Sequence, residues 1–204
     1  MLSSIFGPSK ANAWKEVALQ LGKNARFEKV DFWSNLKLFY THQNWEFLLK
    51  TRTSRSNNHS ATFTTLKVPF AASSDFRFRI TQEGIFSAVG KYLNFNDIET
   101  NDKKFDNEFY IKGNDETLVK RMLIDDSIRK IMLSLKEMDL EVTADTGSWG
   151  TDLPHRVLIL KYECLGVIKD VNTIEKILIL LSKILDRLLE MGVILKYHPN
   201  FKLS

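Results

Sequence analysis

Residues 45–68 read WEFLLKTRTSRSNNHSATFTTLKV, and this stretch decides the fold class. Two runs rich in Phe, Thr, Leu and Val, 45–53 and 61–68, flank a polar centre at 54–59. Asn57 and Asn58 tolerate the positive φ that a tight connection demands, so the stretch predicts a β-hairpin. Pro69 lacks the backbone donor that a ladder needs and is expected to end the second strand.

Working outward, Leu36, Leu38 and Tyr40 alternate with Lys37, Phe39 and Thr41, and residues 42–44 supply a turn. Phe76, Phe78 and Ile80 alternate with Arg77 and Arg79 up to Gly84. Period 2 marks both as strands, and together with the hairpin they predict an antiparallel meander. Ahead of it, Trp14, Val17, Ala18 and Leu21 share one helical face that Gly22 closes. Residues 85–93 suggest a short helix interrupted by Gly90.

The polar stretch 94–107 is the expected boundary between halves. Beyond it come a strand at 108–112, a helix capped by Asn114 and a second helix capped by Asp125 or Asp126. Leu140, Val142 and Ala144 alternate as a strand, residues 145–154 form a loop, and 157–164 form another strand. Residues 171–191 then carry Ile174, Ile177, Leu178, Leu181, Ile184, Leu185 and Leu188 on one broad stripe. Asn172 with Glu175 resembles a capping box, and Gly192 is a natural terminator. Residues 193–197 are read as a final strand. Strands and helices without regular βαβ alternation place the chain in the α+β class. The expected architecture is a mainly antiparallel sheet covered by helices, the long C-terminal one foremost. A single domain over 1–204 is expected, with packed halves 1–95 and 106–204 as its internal division.

The 204 residues, 44% hydrophobic and 11% aromatic, exclude intrinsic disorder. One cysteine, Cys164, excludes an internal disulfide framework and fits a reducing compartment. No signal-peptide pattern opens the chain, and charges interrupt its most apolar window, so a cytoplasmic address without membrane insertion is expected. The net charge of +4 conceals an asymmetry. Residues 10–91 hold 13 basic and 6 acidic side chains, a net of +7, while the remainder nets −3.

Alternation puts Lys50 with Arg52 on one strand face and Arg77 with Arg79 on another, with Arg55 and His59 at the hairpin tip. Should these faces coincide, the sheet has an apolar inside and a basic outside, a surface for phosphates or acidic proteins. The competing reading is an ordinary solvated face of a half-covered sheet. Nucleic-acid binding is disfavoured because an RNA-binding sheet exposes aromatic and basic groups together. In residues 76–80 they point apart.

Two short motifs carry possible chemistry. Asp145, Thr146, Gly147 and Ser148 have the letters of an aspartic-protease loop, whose chemistry needs two carboxylates sharing a proton. One copy per chain would require a dimer, so a hydrolase centred on Asp145 is the alternative rather than the main reading. Asp97, Glu99, Asn101 and Glu108 match positions 1, 3, 5 and 12 of a calcium loop, but Asp102 stands where Gly is needed. His42, His59, His155 and His198 do not pattern as zinc ligands. Cys164 reads as a small buried hydrophobe. Trp149, between Gly147 and Gly150, marks a possible cleft with Asp145. No catalytic residues, metal or cofactor are assigned.

Residues 86–91, 97–99 and 105–114, with 166–170 before the long helix, resemble a family of uncharacterised, mainly bacterial proteins. The resemblance extends to Trp14, the strands from Trp45 and a Gly-Trp loop at 145–150. It implies no activity. The reading from sequence is therefore a non-catalytic interaction module using Lys50, Arg52, Arg55, Arg77 and Arg79.

Overall fold

A computed structural model describes residues 9–29, 36–56, 59–82, 95–144, 153–201 and 203. The chain enters with α1 (Lys10–Leu21), where the Ser9 hydroxyl accepts the Asn12 N–H and satisfies one orphan donor. Ala13, Trp14 and Val17 form its buried stripe, and Gly22 at φ 60° ends it. Four strands follow as a meander: β1 (Ala25–Lys29), β2 (Leu36–His42), β3 (Trp45–Ser56) and β4 (His59–Ala71). The hairpin is longer than the pattern suggested, because Ser56 pairs with His59 and only residues 57–58 are left as its connection. Those two residues lie outside the described ones.

Pro69 does not end β4, which runs on to Ala71. The β3 ladder has already stopped at Lys67, whereas β9 (Val157–Leu165) pairs with β4 through Ala71. A proline is tolerated where one side of the strand has no ladder to break.

The described strands form one nine-stranded antiparallel sheet in the order β1-β2-β3-β4-β9-β8-β5-β7-β6. The expected meander of residues 36–80 is thereby corrected at its last member. β5 (Phe78–Gln82) is not beside β4; it lies between β8 (Asp139–Thr143) and β7 (Phe109–Gly113). The physical reason is edge length. Five residues of β5 cannot cover the 13-residue β4, whereas β9 pairs with it from Phe63 to Ala71. Phe78 and Ile80 instead meet Val142 and Leu140 on one side, and Gly113 and Ile111 on the other.

The polar segment expected as a boundary contains β6 (Asn96–Asp97) and α2 (Lys103–Glu108). Asp102 caps α2, and Phe105 packs its ring 4.7 Å from that of Phe109. Next come α3 (Glu116–Leu123) and α4 (Asp126–Ser134). Asp115, not Asn114, caps α3. Asn114 instead accepts the Arg77 backbone N–H at 2.8 Å, fastening the approach to β5. A Cβ on Gly113 would stand 2.9 Å from Val119 Cγ2, which is why α3 can sit so close on β7.

The last helix, α5 (Val171–Glu190), buries all seven positions of the expected stripe and Leu180 with them. Its cap is Asp170 rather than Asn172, and Gly192 follows it at φ 75°. Residues 193–197 do not form a strand; Ile194 makes an isolated bridge with Ala72, flanked by backbone bonds from Ser73 N–H to the Val193 carbonyl and from Leu195 N–H to the Ala71 carbonyl. The expected helix at 85–93 lies outside the described residues.

The strand residues of the main core alternate strictly: Leu38, Phe47, Leu49, Leu66, Val68, Tyr162, Leu160, Leu140 and Ile80 all face the helices. No helix among the described residues is long and apolar enough to cross a membrane. One face of the sheet is thus filled by the core, and the other carries most of the charged strand residues.

Candidate functional site

On the face turned from the helices, the register aligns charged residues in rows across the strands. One row runs Glu28, Lys37, Lys50, Thr65, Glu163, Asp139, Thr81 and Tyr110, from β1 to β7. The next runs Arg26, Phe39, Leu48, Lys67, Lys161, Glu141, Arg79, Lys112 and Asp97. Both follow from period-2 alternation carried through an unbroken antiparallel register.

Lys50, Arg52 and Arg79 therefore do share this face. Arg77 stands just before β5 and its guanidinium pairs with Asp75. Arg55 is exposed near the hairpin tip. Asp145 and Trp149, with the protease-like loop and the suggested cleft, lie outside the described residues.

Arg52 and Arg79 are engaged in ion pairs. Arg52 binds Glu163 through two bonds, Nε to Oε2 at 2.8 Å and Nη2 to Oε1 at 2.6 Å. Arg79 grips Asp139 in the same fork, at 2.8 and 2.7 Å. Lys161 pairs with Glu141, and Lys112 with Asp97 at 2.9 Å. This differs from a plain solvated face: Thr65 is 0% exposed, Lys67 5%, Glu141 7% and Arg79 9%. Charges held at that depth need hydrogen-bonded partners; Arg79 has its fork on Asp139, and Glu141 has Lys161.

Burial and charge shift these groups. Burial pushes the Asp139 carboxyl up, more than Arg79 lowers it. Burial also acts to raise Glu163, but the Arg52 hydrogen bond and the charges of Lys161 and Arg52 outweigh it and hold the carboxyl low. Lys50 is half-buried, and burial followed by the charges of Lys37 and Lys67 lowers its ammonium to about 7. Lys67 is lowered to about 8, first by burial and then by Lys161, with Glu163 and Glu141 acting the other way.

Lys37 stands directly opposite Lys50, and Lys67 stands diagonally across from Lys50, opposite Leu48. Facing pairs of this kind have Cβ atoms about 5 Å apart, and like charges in that relation repel. The sequence reading named Lys50 but missed Lys37, Lys67 and Lys161. Their alternation was visible; that β9 lies beside β4 was not.

Phe78 and Arg79 point apart as read, but aromatic rings of β2 and β4 do share this face. Phe39 lies under Arg26 at 3.7 Å and Phe63 under Arg52 at 4.3 Å. Each ring is already stacked by a guanidinium.

The other candidate residues take structural positions. His42 Nε2 lies 2.9 Å from Asp186, where Gln43 also donates at 2.7 Å, so the β2–β3 turn is tied to α5. Cys164 is buried, and burial raises its thiol to about 11. Asp97 of the calcium-loop pattern is taken by Lys112, and Asp102 caps α2. Among the described residues no three His, Cys, Asp or Glu side chains gather as a metal site.

Compared with protein-family models, curated proteins and solved structures, the chain gives no match in any of the three.

Proposed function

We propose that the protein is a binding module whose charged sheet face takes a small phosphate-bearing ligand at Lys37, Lys50 and Lys67. The observation that carries this reading is the placement of three lysines on adjacent strands, two directly opposed and the third diagonal. Three cationic side chains on adjacent strands attract an anion set among them. Strands hold the groups more firmly than loops would, so little ordering is needed at binding. The Arg52–Glu163 and Arg79–Asp139 forks act as the rigid frame beside the lysines.

Titration calorimetry with inorganic pyrophosphate tests the reading. Lys50 and Lys67 lose their charge near pH 7 and 8, so affinity falls as pH rises from 6 to 9. Lys67→Met weakens binding about tenfold, the worth of one charge-assisted hydrogen bond. Equal affinity at pH 6 and 9, or no heat at about 50 mM salt, refutes it. A single-stranded oligonucleotide that binds with a steep salt slope while pyrophosphate gives no heat would favour nucleic acid instead.

A further inference from the structure

We propose that the β3–β4 hairpin is an arm that enters the major groove of duplex DNA, with Arg55, Thr53, Ser60 and Thr62 turned to the phosphates. The arm is separate from the three lysines and does not rest on the reading given for them. The ladder from β2 to β3 ends at Lys50, and the ladder from β9 to β4 ends at Phe63. The Gly166 N–H still reaches the Thr62 carbonyl at 2.7 Å. Beyond that point, among the described residues, β3 and β4 pair only with each other: Thr53 with Thr62, Ser54 with Ala61, Arg55 with Ser60 and Ser56 with His59. At about 3.4 Å per residue these pairs carry the ribbon about 14 Å past the neighbouring ladders.

Side-chain character changes where the core ends. On the helix side, Leu49 opposes Leu66 inside the core, and Thr51 opposes Thr64 at its margin. Further out the same face carries Thr53 opposite Thr62 and Arg55 opposite Ser60. Thr53, Arg55 and Ser60 are exposed, and the Thr53 and Thr62 hydroxyls lie 3.4 Å apart. A polar two-stranded ribbon is marginal by itself. Here its base is braced: Arg52 reaches across β4 to fork Glu163 of β9 and stacks on Phe63, while Lys10 donates to the Thr51 hydroxyl at 3.0 Å.

Residues 51–60 read TRTSRSNNHS, in which every side chain carries a hydrogen-bond donor. No carboxylate occurs between Glu46 and Asp75. Arginine and hydroxyl side chains are among the groups that contact nucleic-acid phosphates, and a carboxylate beside them would repel the strand. Arg52 is held by Glu163, whereas Arg55 stands exposed farther along the arm. Shape selects the partner. The major groove of B-DNA, about 12 Å wide, admits a two-stranded ribbon. The deep, narrow major groove of an RNA duplex does not. A ribbon in a groove also needs no exposed ring, which recognition of single strands on a sheet face requires.

Fluorescence anisotropy with the full chain and a labelled DNA duplex of about 20 base pairs tests the arm. Binding is expected at about 50 mM salt and weakens steeply toward about 200 mM. Arg55→Ala lowers affinity about tenfold and the salt slope by about one, while Arg55→Lys keeps the slope. Thr53→Glu combined with Ser60→Glu abolishes binding by placing two carboxylates on the Arg55 face. These positions are exposed, so urea midpoints of the variants should match that of the parent. Lys67→Met leaves the DNA affinity unchanged. No binding at about 50 mM salt overturns the proposal. Equal affinity for a single strand or an RNA duplex removes the groove and overturns it too. A loss with Lys67→Met that Arg55→Ala does not share places the DNA at the lysines and overturns the arm. Ultraviolet crosslinking of the unaltered chain to the duplex, mapped by mass spectrometry, needs no variant. Crosslinks are expected within residues 53–62, and crosslinks confined to other segments overturn the assignment.

Discussion

Arg79 shows how far a side chain's role depends on its neighbours. Alternation assigned it correctly to the face away from Phe78 and Ile80, and suggested a basic group available to a partner. Its fork on Asp139 instead makes it half of a buried ion pair, with side-chain exposures of 10% and 11%. Breaking such a pair from one side strands the other charge. Arg79→Met is therefore expected to cost about 3–5 kcal/mol in urea unfolding at pH 7. Burial already raises Asp139, and losing Arg79 raises it further. A folded carboxyl titrating above its unfolded value opposes folding once pH rises past the unfolded value, so the loss is larger at pH 7 than at pH 4. Adding Asp139→Leu removes the stranded charge and recovers most of the stability. Equal losses for the single and double variants would show that the pair is not what matters.

At the scale of elements, periodicity was legible and register at the ends was not. The apolar stripe of α5 and its first residue, Val171, were read as observed, yet its cap was placed two residues late, at Asn172 instead of Asp170. Asp170 with Thr173 and Asn172 with Glu175 are both capping patterns at the same spacing, just before one apolar run. Tertiary contacts separate them. Trp14 donates its indole N–H to the Ile168 carbonyl at 3.0 Å, and the buried Thr64 hydroxyl takes the Ile168 N–H at 3.0 Å. These bonds fasten the chain just ahead of α5, and Asp170 then accepts the Thr173 N–H at 2.8 Å. Asp170→Ala is expected to cost about 1 kcal/mol at pH 7. The bonds from Thr173 hold its carboxyl below the usual range. The stabilisation is complete above the unfolded carboxylate value and disappears as pH falls through the lower folded one. Urea midpoints of the variant and the parent protein should therefore converge in acid, and a constant gap would exclude the cap as its source.

For the whole molecule, the division into halves at 1–95 and 106–204 meets a sheet that passes through both. β5 has both its neighbours, β7 and β8, in the second half, and β4 has β9 on its far edge. A chain of residues 1–95 keeps β1 to β4 but leaves β5 without either ladder and β4 without half of its bonds. We expect the full chain to unfold in one cooperative transition and the fragment 1–95 to show none, by circular dichroism in urea. A fragment with a transition of its own would establish an independent first half. Pairings such as Phe63 with Leu165 also span long stretches of chain, which places folding among the slower, non-local cases.

The sequence by itself determined the class, most elements, the core stripe of α5 and the face on which Lys50, Arg52 and Arg79 lie. Those follow from periods of 3.6 and 2, which each segment carries internally. The mild +4 was also resolved there into a basic and an acidic region. Only the tertiary structure decided which strand lies beside which: that β9 and β8 enter between β4 and β5, bringing Lys161, Glu163, Glu141 and Asp139 to the basic residues. The reason is physical. Side-chain alternation states which face of a strand is buried, whereas a strand's edge is made of backbone N–H and C=O groups that nearly every residue shares. Neighbours are therefore chosen by edge length and by the packing of the whole core, and no local pattern records that choice.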